Sequence, residues 1–213
     1  MDPLRDIILI APPILLALTF HEFAHAYVAN RLGDPTAKLL GRLTLNPLVH
    51  LDLLGTAMLF IAHIGWAKPV PVNPLNFKNP KRDLLWVSLA GPASNLLLAL
   101  FFGIGCRLLG IEGLSRPEYQ FSDSFRFMIA FGLVVNIILA IFNILPIPPL
   151  DGSKIIIGLL PQKYEHHLVP FLKYGPMILI AVIVFGYLSK VDILWAIINP
   201  FIGIFSYLFA GWI

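Results

Sequence analysis

The chain has 213 residues, 58% of them apolar and only 13% charged, and its mean hydropathy is +0.82. Soluble domains carry about twice that charged share, so a soluble globular protein is excluded and a polytopic membrane protein is expected. The net charge of +3 is too small to suggest a nucleic-acid partner, and a single cysteine, Cys106, excludes an internal disulfide and a cysteine-based metal site.

In chain order, the first membrane helix is predicted over 7–29, with Pro12-Pro13 kinking it or marking its start. Asp2 and Asp6 offset Arg5, and the apolar run leads straight into a histidine-bearing segment, so no removable signal is expected. Gly33-Asp34-Pro35 ends the helix. Residues 39–45 partly alternate, with Arg42 and Thr44 opposite Leu43 and Leu45, and are read as a short strand or hairpin stopped by Asn46-Pro47. Residues 51–67 are apolar but broken by Asp52, Gly55, His63 and Gly65, and are of borderline length for a crossing. A basic, proline-rich loop follows over 68–82. Further spans are predicted over 84–106, 125–145, 167–188 and 193–212, with a proline-rich break and a short helix between 146 and 160. The expectation is an all-α membrane protein of one domain, 1–213. It has five to six transmembrane helices, a membrane-associated β-hairpin, a re-entrant segment and Trp66, Trp86, Trp195 and Trp212 near span ends as interfacial anchors.

Inside the first span stands His21-Glu22-Phe23-Ala24-His25, after Ile7–Phe20, fourteen residues without a charge. On a helix the two histidines project from one face. Two imidazoles at that spacing can share one Zn²⁺, and the glutamate between them can reach the water such an ion activates. Ionisable groups at membrane depth are costly, which favours a functional reading over a chance match. A third ligand is needed, and Asp151 is the best candidate, because it lies at a break in a membrane helix that survives only when buried in protein or lining a watery cavity. The alternative for Asp151 is a helix cap at the membrane surface. Gly91-Pro92 reads either as a kink or packing site or as direct contact with the histidine helix. Asn95 is a candidate to bond a carbonyl freed at the helix break. His50 is a candidate to line the site, with ordinary loop hydrogen bonding as the plainer alternative; His63, His166 and His167 read as structural or solvated.

Three segments together resemble the signatures of the site-2 protease family of intramembrane zinc metalloproteases: His21–His25, Ala90-Gly91-Pro92-Ala93-Ser94-Asn95, and Asn143-Ile144-Leu145-Pro146-Ile147-Pro148-Pro149-Leu150-Asp151-Gly152. The resemblance implies one zinc held by His21, His25 and Asp151, Glu22 as the catalytic base, and Asn143 as a substrate-positioning residue. It implies that 39–45 is similar to the family's β element, which presents substrate in extended form. Residues 65–74, Gly-Trp-Ala-Lys-Pro-Val-Pro-Val-Asn-Pro, look like a loop of compact members lacking PDZ or CBS domains. The implied partners are a transmembrane protein substrate and the lipid bilayer, and no oligomeric state is specified.

Two functions follow from this reading. One is an intramembrane endopeptidase; the other is a non-catalytic zinc-binding membrane protein, a carrier or pseudoprotease regulator. Glu22 favours the enzyme, since only hydrolysis needs a carboxylate placed to handle a proton of water. If 51–67 does not cross, His25 and Asp151 emerge on the same side of the membrane. The loops on that side then carry Arg31, Lys38, Arg42, Lys68, Lys78, Lys81 and Arg82, which places the zinc side of this multi-pass cell-membrane protein in the cytoplasm.

Overall fold

The computed structural model describes residues 3–55, 66–115, 121–161, 163 and 165–212. Long helices dominate: α1 (Pro3–Leu32), α4 (Pro80–Leu108), α5 (Phe121–Ile144), α7 (Glu165–Ser189) and α8 (Ile193–Ala210). Short ones intervene: α2 (Thr36–Leu39), α3 (Pro47–His50) and α6 (Asp151–Leu159), with a 3₁₀ turn at Pro74–Asn76. Each of the five long helices holds a stretch long and apolar enough to span a bilayer, and the chain is an integral membrane protein. At 1.5 Å per residue the 30 residues of α1 reach about 45 Å, beyond a hydrocarbon core of about 30 Å. Pro12-Pro13 does not delay the start of α1: the helix begins at Pro3 and runs through both.

The helix ends follow local chemistry. Asn79 caps α4 by accepting from the Arg82 N–H, Asp192 caps α8 by accepting from Trp195, and α8 closes on Gly211 in the left-handed region. The centre is built by α4, α5 and α8, where Ala99, Phe102, Leu133, Ile137 and Ile198 pack in one cluster. Glycine lets these helices approach: a side chain at Gly103 would strike Phe209, and one at Gly132 would strike Phe102. In the membrane-spanning window of α4, 44% of residues are buried, against 11% for α7. Accordingly α4 is central and α7 peripheral, and its exposed Ile180, Phe185 and Tyr187 present an apolar face that only lipid or another protein can cover.

Residues 39–45 do not form the expected hairpin. Helical and turn bonds claim the backbone instead: Leu39 N–H donates to Pro35 O, Leu40 to Thr36 O and Arg42 to Ala37 O. The Arg42 side chain turns inward onto Lys68 O at 2.6 Å. Partial alternation misled because the Thr36–Leu39 turn already takes the amides of residues 39–42. One isolated antiparallel bridge, Leu51–Ala67, is present among the described residues. Most of the segment read as re-entrant, including His63, lies outside the described residues, as do the side chains of His166 and His167. Its two flanks are neighbours, however: Leu51 pairs with Ala67, and Gly55 sits so close to Trp66 O that a Cβ there would lie 2.3 Å away.

Candidate active site

The H-E-x-x-H segment lies about two turns before the end of α1, with His21, Glu22 and His25 all buried. Antiparallel α4 packs against it, so that His25 meets Val87 and His21 meets Asn95. After α5 ends at Ile144, the proline-rich break folds back, and Asp151, the first residue of α6, swings under both histidines. The fold-back depends on Gly152, where a Cβ would lie 2.0 Å from Ile144 O. Asp151 is therefore not the helix cap, a position Leu150 takes, but a buried carboxylate aimed at the bundle.

Three donor atoms converge. His21 Nε2 and His25 Nε2 are 3.0 Å apart, and Asp151 Oδ2 lies 3.2 Å from the first and 3.0 Å from the second. Tetrahedral zinc with bonds of about 2.0–2.1 Å holds its ligand atoms about 3.3 Å apart, so this triangle fits such an ion to within a few tenths of an ångström. His21, His25 and Asp151 are the one metal-competent group of three among the described residues. Gly91 makes room for it: a Cβ would lie 2.4 Å from His25 Nε2 and 2.6 Å from His21 Nε2. Of the two readings of Gly91-Pro92, direct contact with the histidine helix is the one observed for Gly91, while Pro92 is buried within α4.

Both imidazoles are held in the tautomer a metal needs. Val87 O can only accept, so His25 Nδ1 donates to it at 2.7 Å, leaving a lone pair on Nε2. His21 Nδ1 donates to Asn95 Oδ1 at 2.6 Å. The Asn95 amide is itself oriented, because its Nδ2 donates to Ala17 O at 3.1 Å and to Asn136 Oδ1 at 2.9 Å. Asn136 in turn donates to Gly132 O at 2.8 Å. Asn95 thus bonds α1 and α5 rather than a carbonyl of the helix break. The Asp151 carboxylate is buried, and the Lys154 ammonium lies 3.4 Å from its Oδ1. An ionised carboxylate is the form that binds a cation.

Glu22 points elsewhere. Its Oε2 accepts from Val70 N–H at 2.8 Å, in a loop that crosses the site. Together with the three ligand candidates it lines a cavity of about 650 Å³, bounded also by Trp66, Asn143 and Lys154. Asn143 faces this cavity while its amide donates to Leu139 O at 2.9 Å. His50 does not line it: buried one layer away, it bonds Thr44 O at 2.8 Å. Sequence reasoning passed over Asn136, although an amide alone in an apolar span was a readable signal. Trp66, read as an interfacial anchor, lines the cavity. No sequence signal could have found the Val87 carbonyl or the Val70 amide, which are backbone groups.

A family model for peptidase family M50 matches residues 116–186, the stretch that holds Asn136, Asn143 and Asp151. "Putative zinc metalloprotease YwhC" of Bacillus subtilis is 41% identical over 190 residues, spanning 87% of this chain and 84% of that protein. "Putative zinc metalloprotease Rip2" of Mycolicibacterium smegmatis is 31% identical over 189 residues, 86% of this chain and 69% of its own. "Zinc metalloprotease MJ0392" of Methanocaldococcus jannaschii is 24% identical over 154 residues, covering 72% of this chain and 34% of that protein. No solved structure matches.

Proposed function

Because the chain belongs to peptidase family M50, the site-2 protease family of zinc metalloproteases, we propose that it is an intramembrane endopeptidase cutting peptide bonds in or near transmembrane segments of other membrane proteins. The observation that carries this reading is the convergence of His21, His25 and Asp151 around one point, with Glu22 on the same cavity wall but outside the ligand triangle. His21, His25 and Asp151 would hold one zinc ion. When bound, zinc supplies a Lewis acid that polarises the scissile carbonyl and acidifies water.

The chain's own residues do the rest. The carboxylate of Glu22 takes a proton from the attacking water and returns it to the leaving amine. Val87 and Asn95 fix the imidazoles so that no rotation is needed as charge develops. Asn143, on the cavity wall, is placed to bond a substrate backbone group. Bundle walls such as Leu18, Leu84 and Phe142 limit bulk water. A transmembrane substrate must unwind locally, because its carbonyls are otherwise tied within its own helix. A carrier would need the three ligands but has no use for a carboxylate kept beside them, so the non-catalytic alternative leaves Glu22 unexplained.

The site faces the end of the bundle where α1 exits, α4 begins and α6 starts. The chain between α1 and α4 leaves and returns at that end, which supports a cytoplasmic site with the N-terminus outside and the C-terminus inside, by the distribution of Lys and Arg. The decisive experiment is reconstituted cleavage of a panel of single-span substrates by the wild-type chain and by Glu22→Gln. Glu22→Gln should bind zinc normally and lose nearly all turnover; an active Glu22→Gln chain refutes the assignment.

A further inference from the structure

Asp34 is a fully buried carboxylate with no part in the chemistry above. It ends α1 and accepts four bonds. Oδ1 takes Thr36 N–H at 3.1 Å, the Thr36 hydroxyl at 2.5 Å and the Asn76 amide at 2.7 Å; Oδ2 takes the Asn73 N–H at 2.7 Å. Two of these donors belong to residues 66–76, the proline-rich loop that the mechanism leaves unused. Its other end is also pinned. Lys68 N–H donates to His50 O at 2.9 Å, Arg42 donates to Lys68 O at 2.6 Å, and Ala67 bridges Leu51. Between the pins, Pro69 and Pro71 lock φ and lack N–H groups, so Val70 holds the lone amide donor of Pro69-Val70-Pro71. That donor is spent on Glu22 Oε2.

We propose that residues 66–76 are a strap stretched over the cavity that sets the orientation of Glu22 through the Val70 amide, and that Asp34 is the positioning residue that fastens it. The inference rests on Glu22 being the base, as proposed above. Val70 occupies one oxygen of Glu22 and leaves Oε1 to face the reacting water. The arrangement is stiff because three prolines, at 69, 71 and 74, lie between or beside the pins, and misplacement of a base by about 1 Å is enough to lower turnover by about a hundredfold. Asp34 acts at a distance: an amide in its place can keep the bonds to Oδ1 but then turns an NH₂ toward the Asn73 N–H, which breaks one of its two bonds to the strap and loosens that end.

The test uses purified full-length protein in lipid vesicles. Asp34→Asn and Val70→Pro should each lower kcat by about tenfold to a hundredfold, with zinc content and KM within about twofold of wild type. Because both act through one contact, the double variant should be no slower than Val70→Pro alone. A second readout is independent of cleavage. With Cys106→Ser and Val72→Cys as background, maleimide labelling should speed up several-fold when Asp34→Asn is added. If Asp34→Asn does not accumulate, Asn76→Ala serves in its place. Unchanged kcat, additive losses, or loss of zinc in step with activity would overturn the positioning role, and unchanged labelling would overturn the fastening. A wild-type chain that cleaves nothing overturns the protease reading and the positioning role with it; the labelling still decides whether Asp34 fastens the strap.

Discussion

Replacing Gly91 by alanine puts a methyl group against the metal site. The added carbon would lie 2.4 Å from His25 Nε2 and 2.6 Å from His21 Cε1 and Nε2. Ordinary contact begins about 1 Å farther out, so one or both rings must retreat by most of that distance. Metal sites tolerate errors of about 0.2 Å in their bonds, and neither ring is free to yield, since Val87 and Asn95 hold the opposite nitrogens. The expected result is a loss of zinc affinity of about a hundredfold or more, exceeding the effect of deleting a partner that only orients a ligand. Helix propensity works the other way, because alanine favours a helix over glycine by about 1 kcal/mol; a drop in zinc affinity is therefore not a sign of a weakened α4. Zinc per chain, measured by mass spectrometry after equilibration with a graded chelator, reads the effect directly, with thermal unfolding as the check on folding. Gly105→Ala on the same helix is the control: its Cβ meets only Ile129 Cγ2 at 3.3 Å, so zinc should be retained. A Gly91→Ala chain with wild-type zinc affinity and cleavage would refute the geometry of the site.

Other outcomes follow from the same structure. Asp151→Ala should lose both activity and most zinc, since two imidazoles alone make a poor cage; full zinc with normal cleavage would remove Asp151 from the ligand set. Asn136→Leu frees the Asn95 amide to turn away from His21 and should weaken zinc binding by about tenfold without unfolding the bundle, as read by competitive zinc titration. Single cysteines placed by Lys38→Cys and Lys78→Cys in a Cys106→Ser background should label from the same face of the membrane; labelling from opposite faces contradicts the common end of α1 and α4. For Asp34, burial alone would raise the carboxyl, but bonds from Thr36, Asn76 and Asn73 hold it below the ordinary value. Its contribution to the strap is therefore fully present above the ordinary carboxylate pKa of about 3.9 and is lost as pH falls through the lower folded value. Labelling of the Val72→Cys chain, taken at each pH relative to the same cysteine in the denatured chain, should stay slow from pH 7 down to about 4 and rise only below that; a relative rise between pH 7 and 5 would assign the fastening to another group.

Composition and local pattern were enough to establish the five membrane helices, because a run of twenty apolar residues has one low-energy state in lipid, a helix with every backbone group paired within itself. The same local rule made H-E-x-x-H readable, since the two histidines share a helix face whatever surrounds them. The Asp151 candidacy came from an acid at a proline break beside an H-E-x-x-H motif, but the choice between ligand and helix cap waited on the structure, where Leu150 takes the cap. What local pattern could not decide is anything set between elements. Residues 39–45 alternate like a strand, but helical bonds around Thr36 and the pull of Arg42 toward Lys68 override that preference. His50 was readable as lining the site but lies outside the cavity on Thr44 O, because a loop's direction is not written in its residue types. Gly91 could be a kink or a contact until α1 and α4 were seen to touch there. The chain Asn136–Asn95–His21, the carbonyl of Val87 and the strap from Asp34 to Glu22 join residues far apart in sequence, and several of the bonding groups are backbone. Only packing brings them within 3 Å, and it is packing that turns a pair of histidines on a helix into a site of defined tautomer, charge and access.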